Sequence, residues 1–346
     1  MSSLPEMAIA RQREPEAVRT GLVAWLGEPV GDLTQPASGG LSSETYLFDS
    51  ASGRQLVARL APEGDALFPV YDLEMQARIM DALGADDVVP VPRVVEYVAD
   101  TGFLGSPFLV MERVEGRIPS DNPPFVMSGW VHDARADLQR LLQDEFVAAV
   151  AKIHRADWQA LGLGEVASRS GGTTLAAELS WWSDYLDWTA DGTPPAVLRD
   201  AREWCSENVP ADEPPPALCW GDVRIPNVVF DDNFRARAVL DWEMASIGPP
   251  ELDIGWYLVI HGMTTEMTGD LPGFRPRADV LRAYESQLGR ALHDLKWYET
   301  WAAFRAAAIM VRLARLLHDL GLVPDLQMQE HNPPIELVRK LIDTPR

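Results

Sequence analysis

Cysteine is scarce: the 346-residue chain carries two, Cys205 and Cys219. They stand too far apart for a C-x-x-C motif, so neither a paired redox centre nor a cysteine zinc site is encoded. The six histidines never form a His-Glu-x-x-His pattern, which removes one common zinc-hydrolase signature. No serine is framed as Gly-x-Ser-x-Gly, so hydrolase chemistry through a serine elbow has no visible handle. Long apolar runs are missing too. The richest stretch, Ala302–Val311, is broken by Arg305 and followed by Arg312, far short of the roughly 20 residues a membrane helix needs. The N-terminal stretch through Glu14 is largely polar, with both signs of charge and no apolar segment of signal-peptide type. A cytoplasmic, reduced protein is the expectation.

Positive charge is also in short supply. Thirty Lys and Arg face 52 Asp and Glu, for a formal net charge of −22. Such a surface repels a nucleic-acid backbone and an anionic membrane, so neither is expected as a partner. It accommodates a cationic small molecule, although acidity first of all keeps a globular protein soluble. What the chain does have is 47% hydrophobic and 24% charged residues, enough apolar material for a sizeable core. Its length predicts two lobes or domains.

The periodicity changes character along the chain. Val18, Leu22, Trp25 and Leu26 are spaced for one amphipathic helix. Thr45–Phe48 and Leu56–Leu60 flank the turn Asp49–Gly53 and predict a hairpin. Asp72–Leu83 follows as a helix with Met75, Ile79 and Leu83 on one stripe, then Val94–Val98 and Phe108–Met111 as strands. Beyond a polar connector, Ile118–Ser128, helical patterns take over. One begins near Leu138, one holds Trp181, Trp182, Tyr185 and Trp188, and one holds Trp297, Trp301, Phe304, Ala308 and Val311. Inter-helix packing is expected of at least half of that first aromatic group; the rest could line a pocket. Strands first and helices afterwards imply an α+β protein.

One segment carries chemistry. Cys219-Trp220-Gly221-Asp222-Val223-Arg224-Ile225-Pro226-Asn227 precedes a second predicted hairpin that ends in Val239-Leu240-Asp241-Trp242-Glu243. Taken singly, Asp and Asn near turns are common capping residues, and Asp231, Asp232 and Asn233 are expected to be that. Asp222, Asn227 and Asp241 together are different. Phosphoryl transfer needs a carboxylate to orient and deprotonate the acceptor hydroxyl, and hard oxygen ligands for Mg²⁺. A hairpin that folds the later Asp back over the loop would supply all three.

This segment resembles the catalytic loop of the aminoglycoside phosphotransferase and choline kinase group, a branch of the protein-kinase-like fold. Its usual form is His-Gly-Asp-x4-Asn, followed by an apolar strand ending in Asp-Trp-Glu. The resemblance implies a two-lobed fold, with a β-rich nucleotide-binding lobe over residues 1–112 and a larger helical lobe over 113–346. Asp222 would be the catalytic base, Asn227 and Asp241 would bind Mg²⁺, and Asp253 would brace the loop from a following helix. Trp220 stands where the family commonly has His, which touches loop geometry more than chemistry. Arg59 takes the place of the phosphate-contacting Lys, with Glu74 expected to pair with it. Ser42 and Ser43, in the turn Ser38–Ser43, would cover the phosphates, and the backbone of Glu112 and Val114 would form the purine-binding hinge. His154 is expected to be structural. The implied activity is transfer of a γ-phosphate from ATP, with GTP as the other option, to a hydroxyl of a small molecule. The loop from His261 to Arg277, containing Asp270, would border that acceptor. A nucleotide-binding module without transfer activity is the alternative, and a metal-dependent hydrolase a third.

Overall fold

The computed structural model describes residues 13–36, 43–85, 88–169, 171–266 and 268–344. Helix α1 (Pro15–Leu26) begins with proline, whose fixed φ suits a first turn. It stops at Gly27, left-handed at φ 73°. Strands β1 (Glu44–Asp49) and β2 (Gln55–Leu60) pair antiparallel with Asp49 opposite Gln55, so the expected hairpin is present. After α2 (Leu73–Ala85) come β3 (Val94–Val98) and β4 (Phe108–Glu112). The four strands form one antiparallel sheet in the order β1-β2-β4-β3.

Alternation along these strands decides what each face covers. Tyr46, Phe48, Leu56, Ala58, Phe108 and Val110 turn to α1, where Val18 and Leu22 close a small core. The opposite face contributes Leu109 and Met111 to a second, larger core that also takes Leu73, Ile79 and Leu83 of α2. That larger core runs on without a break into the helices that follow. β4 is therefore buried on both faces, which is why Phe108–Met111 reads as one continuous apolar run.

The helical part contains α3 (Ala136–Arg155), α4 (Gly164–Arg169), α5 (Leu175–Thr189) and α6 (Ala196–Glu207). Next are the short strands β5 (Ala217–Cys219), β6 (Val228–Phe230), β7 (Ala236–Val239) and β8 (Ser246–Gly248). β6 pairs with β7 as the predicted second hairpin, while β5 pairs with β8 around it. Then follow α7 (Glu251–Thr265), α8 (Arg277–Leu288), α9 (Leu295–Asp319) and α10 (Pro333–Asp343). No helix among the described residues is long and apolar enough to cross a membrane.

Helix α7 carries site residues in its first turns, and α9 fixes it from behind. The two approach so closely at Gly255 that a Cβ there would lie 2.6 Å from the Tyr298 carbonyl oxygen. Backbone cannot yield as a side chain does. Gly255→Val should therefore destabilise the protein by about 1–3 kcal/mol or more, read as a lower urea midpoint; an unchanged midpoint would show that the α7–α9 contact is loose.

Candidate active site

The loop that follows β5 is anchored by its backbone. Asp253, on the first turn of α7 and fully buried, accepts hydrogen bonds from the Trp220 N–H at 2.7 Å and the Gly221 N–H at 2.9 Å. Its Oδ2 also meets His154 Nε2 at 2.8 Å, and His154 Nδ1 meets the Tyr284 hydroxyl at 2.6 Å. Gly221 is obligatory here. Its φ is 92° and a Cβ would sit 2.2 Å from the Met244 carbonyl oxygen. His154, Cys219 and Asp253 lie close enough together to suggest a metal site, but their donor atoms are engaged. The Cys219 thiol donates to the carbonyls of Gly248 and Pro249. The cluster is a buttress, with His154 structural as expected.

Loop and hairpin then bring three oxygen-bearing side chains together. Asn227 Nδ2 donates to Asp222 Oδ2 at 2.8 Å and to the Asp222 carbonyl at 3.0 Å. The Leu240 N–H donates to the Asn227 carbonyl at 2.9 Å, which sets Asp241 beside the loop. Asp241 itself is left-handed at φ 62°, an uncommon conformation for a residue other than glycine. The indole of buried Trp220 stabilises it, donating to the carbonyls of Leu240 at 2.8 Å and Asp241 at 3.0 Å. So the residue that stands in place of His links the loop to the segment that follows β7. Asp231, in the hairpin link, accepts from the N–H groups of Asn233 and Arg235, as a turn residue does.

Arg59, at the buried end of β2, reaches the same place. Its Nη2 donates to Asp241 Oδ1 at 3.0 Å and to Ser43 Oγ at 2.8 Å, and lies 3.6 Å from Glu243. Burial opposes the charge on Arg59, but Asp241 and Glu243 outweigh it and raise its pKa. The expected Arg59–Glu74 pair does not form. Glu74 lies half-exposed on the first turn of α2 and pairs with Arg78, one helical turn on. Two nearer acids at the hairpin end take the guanidinium instead. Ser43 thus joins the site, whereas Ser42 and the two glycines of its turn lie outside the described residues. Glu112 ends β4, its carboxylate on Arg93 and its N–H on the Arg93 carbonyl. Two residues on, the Val114 N–H makes no hydrogen bond among the described residues.

Two neighbours of Asp222 were not singled out from the sequence. Arg224 Nε donates to Asp222 Oδ2 at 2.9 Å, its Nη1 to Asp121 at 2.9 Å, and its Nη2 approaches Asn227 Oδ1 at 3.4 Å. Burial again opposes the charge, and Asp222 and Asp121 override it, leaving a pKa well above the ordinary value. A charged residue inside the otherwise apolar Val-Arg-Ile-Pro was the available signal. Trp256, on α7, donates from Nε1 to Asp222 Oδ1 at 2.9 Å; nothing in the local sequence marks it. Asn227 Oδ1 and the Asp241 carboxylate are hard oxygen donors, whose hydrogen-bond partners among the described residues are arginines. As a donor set they fit Mg²⁺.

A two-lobed α+β chain with a backbone-anchored Asp-x4-Asn loop and a following Asp defines a kinase-like phosphotransferase. Residues 34–298 match the model of the phosphotransferase enzyme family, and the chain belongs to that family. Its fold is similar to that of a putative aminoglycoside phosphotransferase from Ralstonia eutropha JMP134, with a TM-score of 0.70 at 23% identity over 93% of this chain and 95% of that one. It is also similar to the GDP and kanamycin complex of APH(2")-IIIa, with a TM-score of 0.60 at 14% identity, covering 95% and 98%. Among curated proteins it is 28% identical over 293 residues to the probable acyl-CoA dehydrogenase IBR3 of Arabidopsis thaliana, covering 78% of this chain and 34% of that protein. The chain spans about a third of that relative's length.

The double duty of Trp220 can be measured. Trp220→Phe keeps the ring and removes the donor, leaving two carbonyls without their partner. A loss of about 1–3 kcal/mol in stability is expected, seen in thermal or urea unfolding. A variant as stable as the parent would mean the indole N–H is not what holds Asp241.

Proposed function

We propose that this protein transfers the γ-phosphoryl group of ATP or GTP to a hydroxyl of a small molecule. The observation that carries this reading is the hydrogen-bonded pair Asp222–Asn227, with Asp241 set beside it by the Leu240–Asn227 backbone bond, Arg224 on Asp222 and Arg59 on Asp241. Asp222 orients the acceptor hydroxyl and takes its proton as the oxygen attacks the γ-phosphorus. The bond from that phosphorus to the β–γ bridging oxygen breaks, and the nucleoside diphosphate departs. Mg²⁺ held by Asn227 and Asp241 would offset phosphate charge. Arg59, with Ser43 beside it, would meet the phosphates, and the Glu112 carbonyl and the Val114 N–H, which has no partner among the described residues, would serve as the purine hinge. The GDP bound by a structural neighbour supports nucleotide use, and GTP as an option.

The acceptor enters from the other side of the catalytic loop. A cleft there is lined by Asp121, Phe125, Arg224, Ile225, Ile260 and His261. His261 is held through Nε2 by Asp270 at 2.9 Å and stacks between Tyr257 and Phe274. The one acid in the lining, Asp121, is already held by Arg224. A lining of mixed character with no spare carboxylate suits an alcohol of mixed polarity better than a polyamine sugar such as kanamycin. The acyl-CoA in the name of the Arabidopsis relative supports an acyl thioester as the body of the acceptor, and the transfer requires a hydroxyl on it. The net acidity of the surface does not extend into this cleft as unpaired negative charge.

A thermal-shift comparison of Mg·ATP and Mg·GTP tests nucleotide use. Mass analysis of a hydroxyacyl thioester, choline and kanamycin after incubation then tests the acceptor, with phosphorylation expected of the thioester. Binding of nucleotide without transfer to any hydroxyl compound would favour the alternative of a non-catalytic module. Asp222→Ala should keep the nucleotide shift and lose about 10²–10⁴-fold in turnover; normal turnover would remove it as the base. Asp241→Ala should abolish the Mg²⁺ dependence of nucleotide binding, and a titration indistinguishable from the parent would exclude it as a ligand.

A further inference from the structure

Behind the base lies a charge that the reaction does not itself use. Arg305, on α9, is 3% exposed. Its guanidinium lies 4.7 Å from the ring centroid of Trp182 on α5 and 5.0 Å from that of Trp256 on α7. Glu178, also on α5 and also buried, lies 3.5 Å from Nη1 and accepts the indole N–H of Trp301 at 3.3 Å. The Nε of Arg305 has no hydrogen-bond partner among the described residues. Three helices thus converge on one buried cation, and one of the two indoles it contacts is the donor to Asp222 Oδ1.

We propose that Arg305 is a positioning residue for Asp222, acting through the indole of Trp256. The inference rests on the phosphotransferase reading above. Stability alone is a poor reason for this residue. A buried ion pair with an unsatisfied nitrogen is often matched or bettered by an apolar residue of similar volume. What an apolar residue would not do is act on the ring of Trp256. A cation near an indole face draws on its π electrons, leaves the N–H a stronger donor, and resists rotation of the ring. That donor is bonded to Oδ1, whereas Arg224 and Asn227 both engage Oδ2. Loosening Trp256 would leave the carboxylate held from one side only and free to swing about its χ angles. Because Glu178 balances the charge, Arg305 acts by contact with the ring and not through a long-range field.

A double-mutant cycle tests this, with Mg·ATP turnover in the absence of added acceptor as the assay, water taking the place of the hydroxyl. Arg305→Met should lower kcat about tenfold, in line with a cation–π contact of 1–2 kcal/mol, with KM for Mg·ATP moved less than about threefold. Trp256→Phe, which deletes the donor and keeps a ring, should lower kcat at least as much. The double variant should be no slower than Trp256→Phe alone, because the route through the indole is already cut. Arg305→Lys should fall between parent and Arg305→Met, and it serves the same cycle if Arg305→Met does not fold. Multiplying effects on kcat, or parental kcat in the Arg305 variants, would overturn the proposal while leaving the phosphotransferase reading intact. Thermal unfolding provides the contrast: a merely structural Arg305 would change stability in both backgrounds and leave kcat uncoupled. A wild-type protein that turns over neither Mg·ATP nor Mg·GTP would overturn the phosphotransferase reading, and the role of Arg305 with it.

Discussion

The carboxylate of Asp253 is the interaction on which the site depends. It is fully buried, and an ionised group in that position is tolerable only when its oxygens are saturated. Two backbone N–H groups of the loop after β5 and one imidazole nitrogen do so. The dependence runs both ways. Asp253 needs the loop to satisfy it, and the loop, which turns sharply at Gly221, needs a rigid acceptor to hold its amides. Since Asp253 stands on the first turn of α7, whatever fixes that helix also fixes Asp222. The close contact of Gly255 with α9 is one such constraint, and the hydrogen bond from Trp256 to Asp222 is a second link from the same helix.

Trp220 shows how a departure from a family's common residue is absorbed. The indole extends the reach of the loop to the end of β7, where it donates to the two successive carbonyls just beyond the strand and so sustains the left-handed backbone of Asp241. The larger ring must be enclosed, and it is, packed near Phe146 and Trp242. Neighbouring bulk and hydrogen bonding therefore act together. The geometry the sequence put in doubt is maintained by a different donor, anchored at its backbone by the same Asp253.

Much of this was legible in the sequence because it was written in local patterns. The first hairpin, α2, the β6–β7 hairpin and the triplet Asp222, Asn227 and Asp241 all follow from alternation, turn residues and short spacing. Contacts between distant segments left less trace. Strands β5 and β8 are three residues each, too short for a periodic signal, and pair across a separation of about thirty positions. Glu74 illustrates the same limit: its distance in sequence from Arg59 suited a pair, but the rotation of α2 about its axis, set by Leu73, Ile79 and Leu83 packing inward, turns Glu74 to solvent. Trp256 and Arg305 belong with these cases. Each looks like an ordinary member of a helix until the fold places it behind Asp222. Of the aromatic group on α5, Trp182 and Tyr185 are buried core, as expected of at least half of it, and Trp182 also contacts Arg305.

Local charge in the site differs from the charge of the chain. A net charge of −22 suggests acids everywhere, yet around the loop Asp121, Asp222, Asp241 and Glu243 are interleaved with two arginines. Each guanidinium bridges a pair: Arg224 joins Asp121 to Asp222, and Arg59 joins Asp241 to Glu243. Without them, these like charges would repel one another. A guanidinium stays ionised when buried, where an ammonium can lose its proton. That difference gives a physical reason for arginine at position 59. The residue there is buried between two acids, and an arginine can serve both without surrendering its charge to burial.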